Sequence, residues 1–146
     1  MADPNELQHA LRDEGSDEHR FFMLDVFTRS PLEGNQLAVF TDAARIPLER
    51  LQALAREMNF PETIFVLPAE RGGTVRVRIF TPKVELPFAG HPVLGTAVLL
   101  GQLLGSDHVR LETGAGVVAV SLDRSAGEST YGRMDQPIPT PEPFVR

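Results

Sequence analysis

Between Val93 and Leu104 the chain reads VLGTAVLLGQLL, an apolar run interrupted only by Thr96, Gln102 and two glycines. A helix on the surface of a globular protein shows a polar stripe every third or fourth residue, and this run has none. Helices that are apolar all round are either buried by their neighbours or placed in a membrane. Spanning a bilayer takes about 20 apolar residues, so the shorter run implies burial. Just upstream, Gly90-His91-Pro92 sets a proline near the first helical position, where its missing N–H has no helical partner to lose. Gly101 to Gly105 offers the place for a left-handed cap. The stretch Thr81 to Leu104 therefore predicts a central helix wrapped by sheet, its N-terminus carrying free N–H donors and a histidine.

The rest of the chain supplies the wrapping. Phe21 to Thr28 predicts a strand with Phe22, Leu24 and Val26 on one face, and Leu37 to Thr41 its returning partner. Between them Pro31 to Asn35 has turn chemistry, Gly34-Asn35 favouring positive φ. Ile46 to Asn59 predicts a surface helix, its apolar positions Leu48, Leu51, Leu54, Ala55 and Met58 recurring at three and four residues, with Pro47 near the start and Asn59 at the cap. Thr63 to Leu67 and the strictly alternating Thr74 to Phe80 form a second hairpin closed by Gly72-Gly73. Val109 to Thr113 and Val117 to Leu122 follow, and Arg133 to Gln136 is the expected last strand.

Charge and composition narrow the function. The formal net charge is −6, and residues 1–20 hold six acids against Arg12 and Arg20, which leaves the remainder at about −2. These residues predict an acidic, flexible leader, and Pro137 to Arg146, with prolines at 137, 139, 141 and 143, predicts a linker toward an absent second domain. The body between them, 21–136, predicts one soluble domain. Lys83 is the lone lysine, so no basic patch exists to neutralise phosphates and nucleic acid is not expected as a partner. No apolar segment follows Met1 and no run is long enough to span a membrane, which makes a cytoplasmic location the expectation. The chain has no cysteine, which removes disulfides, thiolate metal sites and cysteine acid/base chemistry. His9, His19, His91 and His108 are too dispersed for a zinc pattern, and no Gly-Lys-Ser/Thr loop is present. Carboxylates, a histidine and backbone dipoles remain.

Four stretches, taken in order, resemble the PhzF-like phenazine-biosynthesis family, which has the diaminopimelate epimerase fold. They are Asp25-Val26-Phe27-Thr28 with Gly34-Asn35-Gln36-Leu37-Ala38-Val39; Ala55 to Thr63 (AREMNFPET); Arg78 to Pro82 leading into Leu86-Pro87-Phe88-Ala89-Gly90-His91-Pro92; and Leu111 to Gly116 (LETGAG). The resemblance implies an α+β fold, a mixed sheet curled around one central apolar helix. It also implies a cofactor-free isomerase or epimerase that moves a proton on a small, possibly cyclic carboxylate in secondary metabolism. The family is built from two similar halves with the site in the cleft between them, and this chain resembles the first half only. The alternative is a catalytically incomplete half-enzyme or interaction module, which would pair with itself as a homodimer or with a separately encoded second half. Pro61 stands where the family often has serine, and Gln36 where it commonly has proline.

Glu62 is the expected general acid/base, the role its counterpart has in the family. It falls at a helix-to-strand junction among Phe60, Pro61, Ile64 and Phe65, and a carboxyl in apolar surroundings is disfavoured as the anion, which suits it to hold a proton and deliver it to carbon. The competing reading is an edge-strand glutamate in water. Gly90 and His91 are expected to bind the substrate, the N–H groups taking a carboxylate or enolate-like oxygen and His91, a catalytic candidate beside Glu62, bonding the same ligand; the alternative is a helix-entry turn whose histidine caps a neighbouring carbonyl. Asn35 is a substrate-orienting candidate or the positive-φ residue of its turn. Glu85 is expected in solvent. Gly114-x-Gly116-x-x-Ala119 matches a dinucleotide fingerprint on paper, but the β-rich run after it predicts a hairpin turn instead. No metal or cofactor ligands are assigned.

Overall fold

A computed structural model describes residues 18–125, 127, 129–136 and 138. The leader and the proline-rich tail thus lie outside the described residues, apart from residues 18–20 and Ile138. β1 (Phe21–Val26) and β2 (Asn35–Phe40) form the first antiparallel hairpin, with Leu24 opposite Leu37. Its turn differs from expectation. Neither Gly34 nor Asn35 has positive φ, which falls on Phe27 at 65° and Leu32 at 70°. Glycine is needed at 34 for close approach, since a Cβ there would stand 2.6 Å from Thr28 Cγ2 and 2.7 Å from the Val26 carbonyl oxygen.

The surface helix is also shorter than its periodicity suggests. Two single 3-10 turns, Ala43–Arg45 and Leu48–Arg50, precede α1 (Leu51–Met58). Proline clashes with a helical residue before it, and both Ile46 (ψ 126°) and Pro47 (ψ 130°) are extended, so the helix cannot begin until the chain has passed them. Leu48 consequently falls off the apolar stripe and is exposed, while Leu51 and Ala55 are sealed. Asn59 ends the helix in the left-handed conformation, its N–H donating to the Ala55 carbonyl.

From there the chain lays β3 (Glu62–Leu67) parallel to β2 and returns as β4 (Val75–Phe80) through a turn with Gly72 at φ 76°. β5 (Glu85–Leu86), too short to show in the pattern, adds to β4. The central helix α2 (Gly90–Leu104) then crosses over to β6 (His108–Thr113), which runs parallel to β4. β6 and β7 (Gly116–Asp123) make the expected hairpin, with Thr113 opposite Gly116. β8 (Tyr131–Met134) starts two residues earlier than expected, because its register on β7 sets Met134 against Val120 and Tyr131 against Asp123. The order is β1-β2-β3-β4-β6-β7-β8, with β5 beside β4.

This mixed sheet curls around α2, which touches β1 and β2 on one side and β7 and β8 on the other. Alternation along each strand divides the apolar residues into two cores. The inner one, including Leu37, Ile64, Ile79, Leu111 and Val120, encloses Val93, Ala97 and Leu100 of the helix. The outer one packs α1 against Phe40, Phe65 and Phe80. Both glycines in the apolar run sit where the helix meets the sheet: a Cβ on Gly95 would lie 2.6 Å from Val26 Cγ2, and one on Gly101 would meet Leu122. Gly105 (φ 63°) caps the helix, and Ser106 N–H returns to the Gly101 carbonyl. No helix among the described residues is long and apolar enough to cross a membrane.

A buried carboxylate ties distant turns together. Glu112 is 0% exposed and accepts the backbone N–H groups of Glu70 (2.8 Å), Arg71 and Gly73 (2.8 Å). Burial pushes its carboxyl up, but the three donors and the nearby Arg71 guanidinium outweigh burial and hold it below the ordinary carboxylate value. A pKa lowered by folding stabilises the protein above the unfolded value and loses that contribution as the pH falls through the folded value. Glu112→Gln, which turns an amide toward three donors, is expected to lower the melting temperature at pH 7 by about 5 °C or more. It should also flatten the acid limb of the stability profile below the ordinary glutamate pKa; a melting temperature unchanged at pH 7 together with an unchanged acid limb would contradict this role.

Candidate active site

Glu62 opens β3, and the period of two puts its side chain on the face shared by Ile64 and Val66, toward α2. His91 is the second residue of α2. The fold brings them together: His91 Nε2 stands 3.1 Å from Glu62 Oε2, with the two side chains 10% and 17% exposed. The edge-strand-in-water reading of Glu62 is thereby set aside. Although the separation is that of an ion pair, neither atom has a hydrogen bond of adequate direction. Two polar groups face each other from largely buried positions with bonding capacity left for a third.

The helix end adds to this. The residue before α2, Ala89, is extended and has no side chain with which to cap it, and the first turn holds no acid. The first helical hydrogen bond is Val93 N–H to the Ala89 carbonyl, so the donors of Gly90 and His91 precede the ladder. Glycine at 90 is required neither by its φ, which is not positive, nor by crowding. A Cβ there would meet only Met134 Cε at 3.6 Å and Gln136 Nε2 at 3.7 Å, ordinary contacts. A methyl group at 90 would thus fit between these two side chains without displacing either.

Asn35 is the first residue of β2 and opposes Val26. Leu37, two residues on, is the partner of Glu62 in the parallel ladder, so Asn35 shares the face and the sheet end of Glu62. Its use as a positive-φ turn residue is overturned by its extended position. Glu85 is exposed, as expected, and is paired there: Arg78 donates to it from Nε (2.8 Å) and Nη2 (2.7 Å) across the β4–β5 pair, which holds the Arg78 guanidinium more firmly protonated. Gly114 to Gly116 form the β6–β7 turn, with Ala115 N–H donating to Pro87 O and Thr113 Oγ1 to Gly116 O. Two residues beside the site went unmarked in the sequence reading. One is Gln136, whose amide approaches Gly90; the other is Phe27, whose ring centroid lies 6.3 Å from that of His91.

The sequence profile of the phenazine biosynthesis-like protein family (PhzC-PhzF) matches residues 24–145. The chain belongs to this family. It is 49% identical over 128 residues to the trans-2,3-dihydro-3-hydroxyanthranilate isomerase of Pseudomonas aeruginosa, covering 88% of this chain and 46% of that protein. The Pseudomonas fluorescens isomerase of the same name is 49% identical over 122 residues, covering 84% and 44%. Among solved structures, a predicted epimerase from Pseudomonas aeruginosa superposes with TM-score 0.73 at 45% identity, over 81% of this chain and 43% of that one. A PhzF-family protein from Bacillus anthracis gives 0.69 at 32% identity, over 78% and 39%. A hydroxyproline epimerase from Agrobacterium vitis, at 15% identity and TM-score 0.53, shares the fold. The α+β epimerase-like fold is therefore the one expected, and the chain spans less than half the length of these family members.

Within this fold Gly95 lies one helical turn beyond His91 and is pressed against Val26 and Leu37. Gly95→Val should overpack that contact and cost about 1–3 kcal/mol of stability. Gly90→Ala, by contrast, is expected to leave stability unchanged or raise it by about 0.5–1 kcal/mol. Chemical denaturation of both variants checks the contrast, and equal losses would show that Gly90 is a packing residue like Gly95.

Proposed function

We propose that this chain carries the proton-transfer half of a cofactor-independent isomerase acting on a small, cyclic or unsaturated carboxylate, of the kind named for its Pseudomonas relatives. The observation that carries the reading is the Glu62–His91 pair, 3.1 Å apart and mostly buried at an uncapped helix N-terminus. Glu62, as carboxylate, takes a proton from a substrate carbon. The electron pair left behind shifts into the adjoining π system and onto the substrate carboxylate, and Glu62 returns the proton to a different carbon. Atoms and electrons balance within the substrate, so no oxidant or external base is consumed. The N–H groups of Gly90 and His91 stabilise the charge that develops on oxygen, His91 bonds the same ligand, and Asn35 orients it from the end of β2.

A second reading is favoured by a cleft of about 920 Å³ that opens between β1 and β8, floored by Leu94 and Val98 and rimmed by Phe27 and Tyr131. On this reading the unit works only once that face is covered by a second copy or a separately encoded half.

Incubation in D2O with a dihydroaromatic amino acid or hydroxy acid, followed by mass spectrometry, tests the first reading. Wild-type protein should exchange substrate C–H for deuterium, and Glu62→Gln should reduce the rate by about 100-fold or more while keeping the melting temperature. Wild-type exchange rates in Glu62→Gln would remove Glu62 from the mechanism. A single-subunit mass in solution together with no exchange would reject the enzyme reading in favour of the incomplete half.

A further inference from the structure

Phe27 combines three properties that rarely occur together in a side chain with only a structural role. Its backbone is left-handed, with φ at 65°. For a bulky residue this is a genuine outlier, which a glycine or asparagine would occupy with less strain. The residue is 71% exposed, so the strain is not offset by its burial. And the ring is set 6.3 Å, centroid to centroid and tilted by 56°, from the imidazole of His91. Leu32 shares the loop and the positive φ, but its N–H is held by Asp25 Oδ2 at 2.6 Å, a local reason for its conformation. The following turn, in which Thr28 Oγ1 accepts the Ser30 N–H, fixes the direction in which the chain leaves Phe27.

We propose that Phe27 is a substrate-packing and specificity-determining residue: its ring is the apolar wall on which the hydrocarbon face of a cyclic carboxylate rests while the acid end meets the helix N-terminus. The inference rests on the proposed function above and deepens it. A flat, unsaturated ring stacks or tilts well against phenylalanine, whereas a short acyclic acid would leave the wall wet. The same ring keeps water from the Glu62–His91 pair once the ligand is in place. Selectivity for cyclic over acyclic acids thus originates in a residue that takes no part in the proton transfer.

The test separates stability from binding. Anthranilate, the aromatic counterpart of the relatives' substrate, is titrated calorimetrically into wild type, Phe27→Gly and Phe27→Tyr, and the melting temperature of each is measured. Phe27→Gly should melt at the same temperature as wild type or a few degrees higher, since a strained backbone is relieved. It should bind anthranilate about tenfold or more weakly and raise KM far more than it lowers kcat. Phe27→Tyr should bind close to wild type. A lower melting temperature in Phe27→Gly would show the ring to be packing, and unchanged affinity would show that it does not touch the ligand; either result overturns the inference. If anthranilate binds wild type and Glu62→Gln stops exchange while Phe27→Gly binds normally, this inference fails and the function stands. If wild type neither binds anthranilate nor exchanges deuterium, both fail together.

Discussion

The contact between Gly95 and the β1–β2 hairpin sets the position of the Glu62–His91 pair. A Cβ on Gly95 would stand 2.6 Å from Val26 Cγ2 and 2.9 Å from Leu37 Cδ2, so the helix lies as close to the sheet there as a backbone can. His91 is one turn earlier on the same helix face, and Glu62 is the cross-strand partner of Leu37. Two steps from one tight contact therefore lead to both members of the pair. Their 3.1 Å separation is a consequence of inner-core packing rather than of any bond between them. Because a packed core does not deform gradually, that spacing is held without the pair having to stabilise it.

Two enclosed carboxylates differ in how far their oxygens are satisfied. Glu112 is wholly buried, saturated by three backbone donors and kept ionised by them. Every acceptor position that matters is filled, and its work is to clamp the β3–β4 turn onto β6. Glu62, its side chain 17% exposed, has a buried oxygen with no aligned donor, next to a histidine nitrogen in the same condition. Burying polar groups without partners costs free energy, and proteins tolerate it mainly where chemistry or a ligand will complete the set. The unfinished hydrogen bonding at Glu62 sets it apart from Glu112 and supports the acid/base role proposed for it.

Legibility followed the range of the signal. The central helix was plain because uniform apolarity over Val93 to Leu104 admits few alternatives, with Pro92 tolerated in its first turn and Gly105 at its left-handed cap. Strand alternation in Val75 to Phe80 and the Gly72 turn were equally local. The split before α1 was also written locally, in Ile46-Pro47, but the apolar period of Leu48 to Met58 outweighed it in the reading. β5 could not be read, because a two-residue strand exists only through its pairing with β4. Nor could the bonding of Glu112 or the backbone of Phe27: the donors to Glu112 lie about 40 residues away, and the positive φ at Phe27 depends on how the whole hairpin is seated. Glu62 and His91 were individually visible through the family motifs, whereas their contact is a product of the topology.

The central claim is that the N-terminus of α2, the carboxyl of Glu62 and the imidazole of His91 bound one ligand site. A crystal structure of the chain soaked with anthranilate addresses it most directly. The account predicts the ligand's carboxylate on the N–H groups of Gly90 and His91, with its ring carbons within reach of Glu62. A ligand bound elsewhere, or Glu62 and His91 side chains turned to different surfaces of the protein, would contradict it.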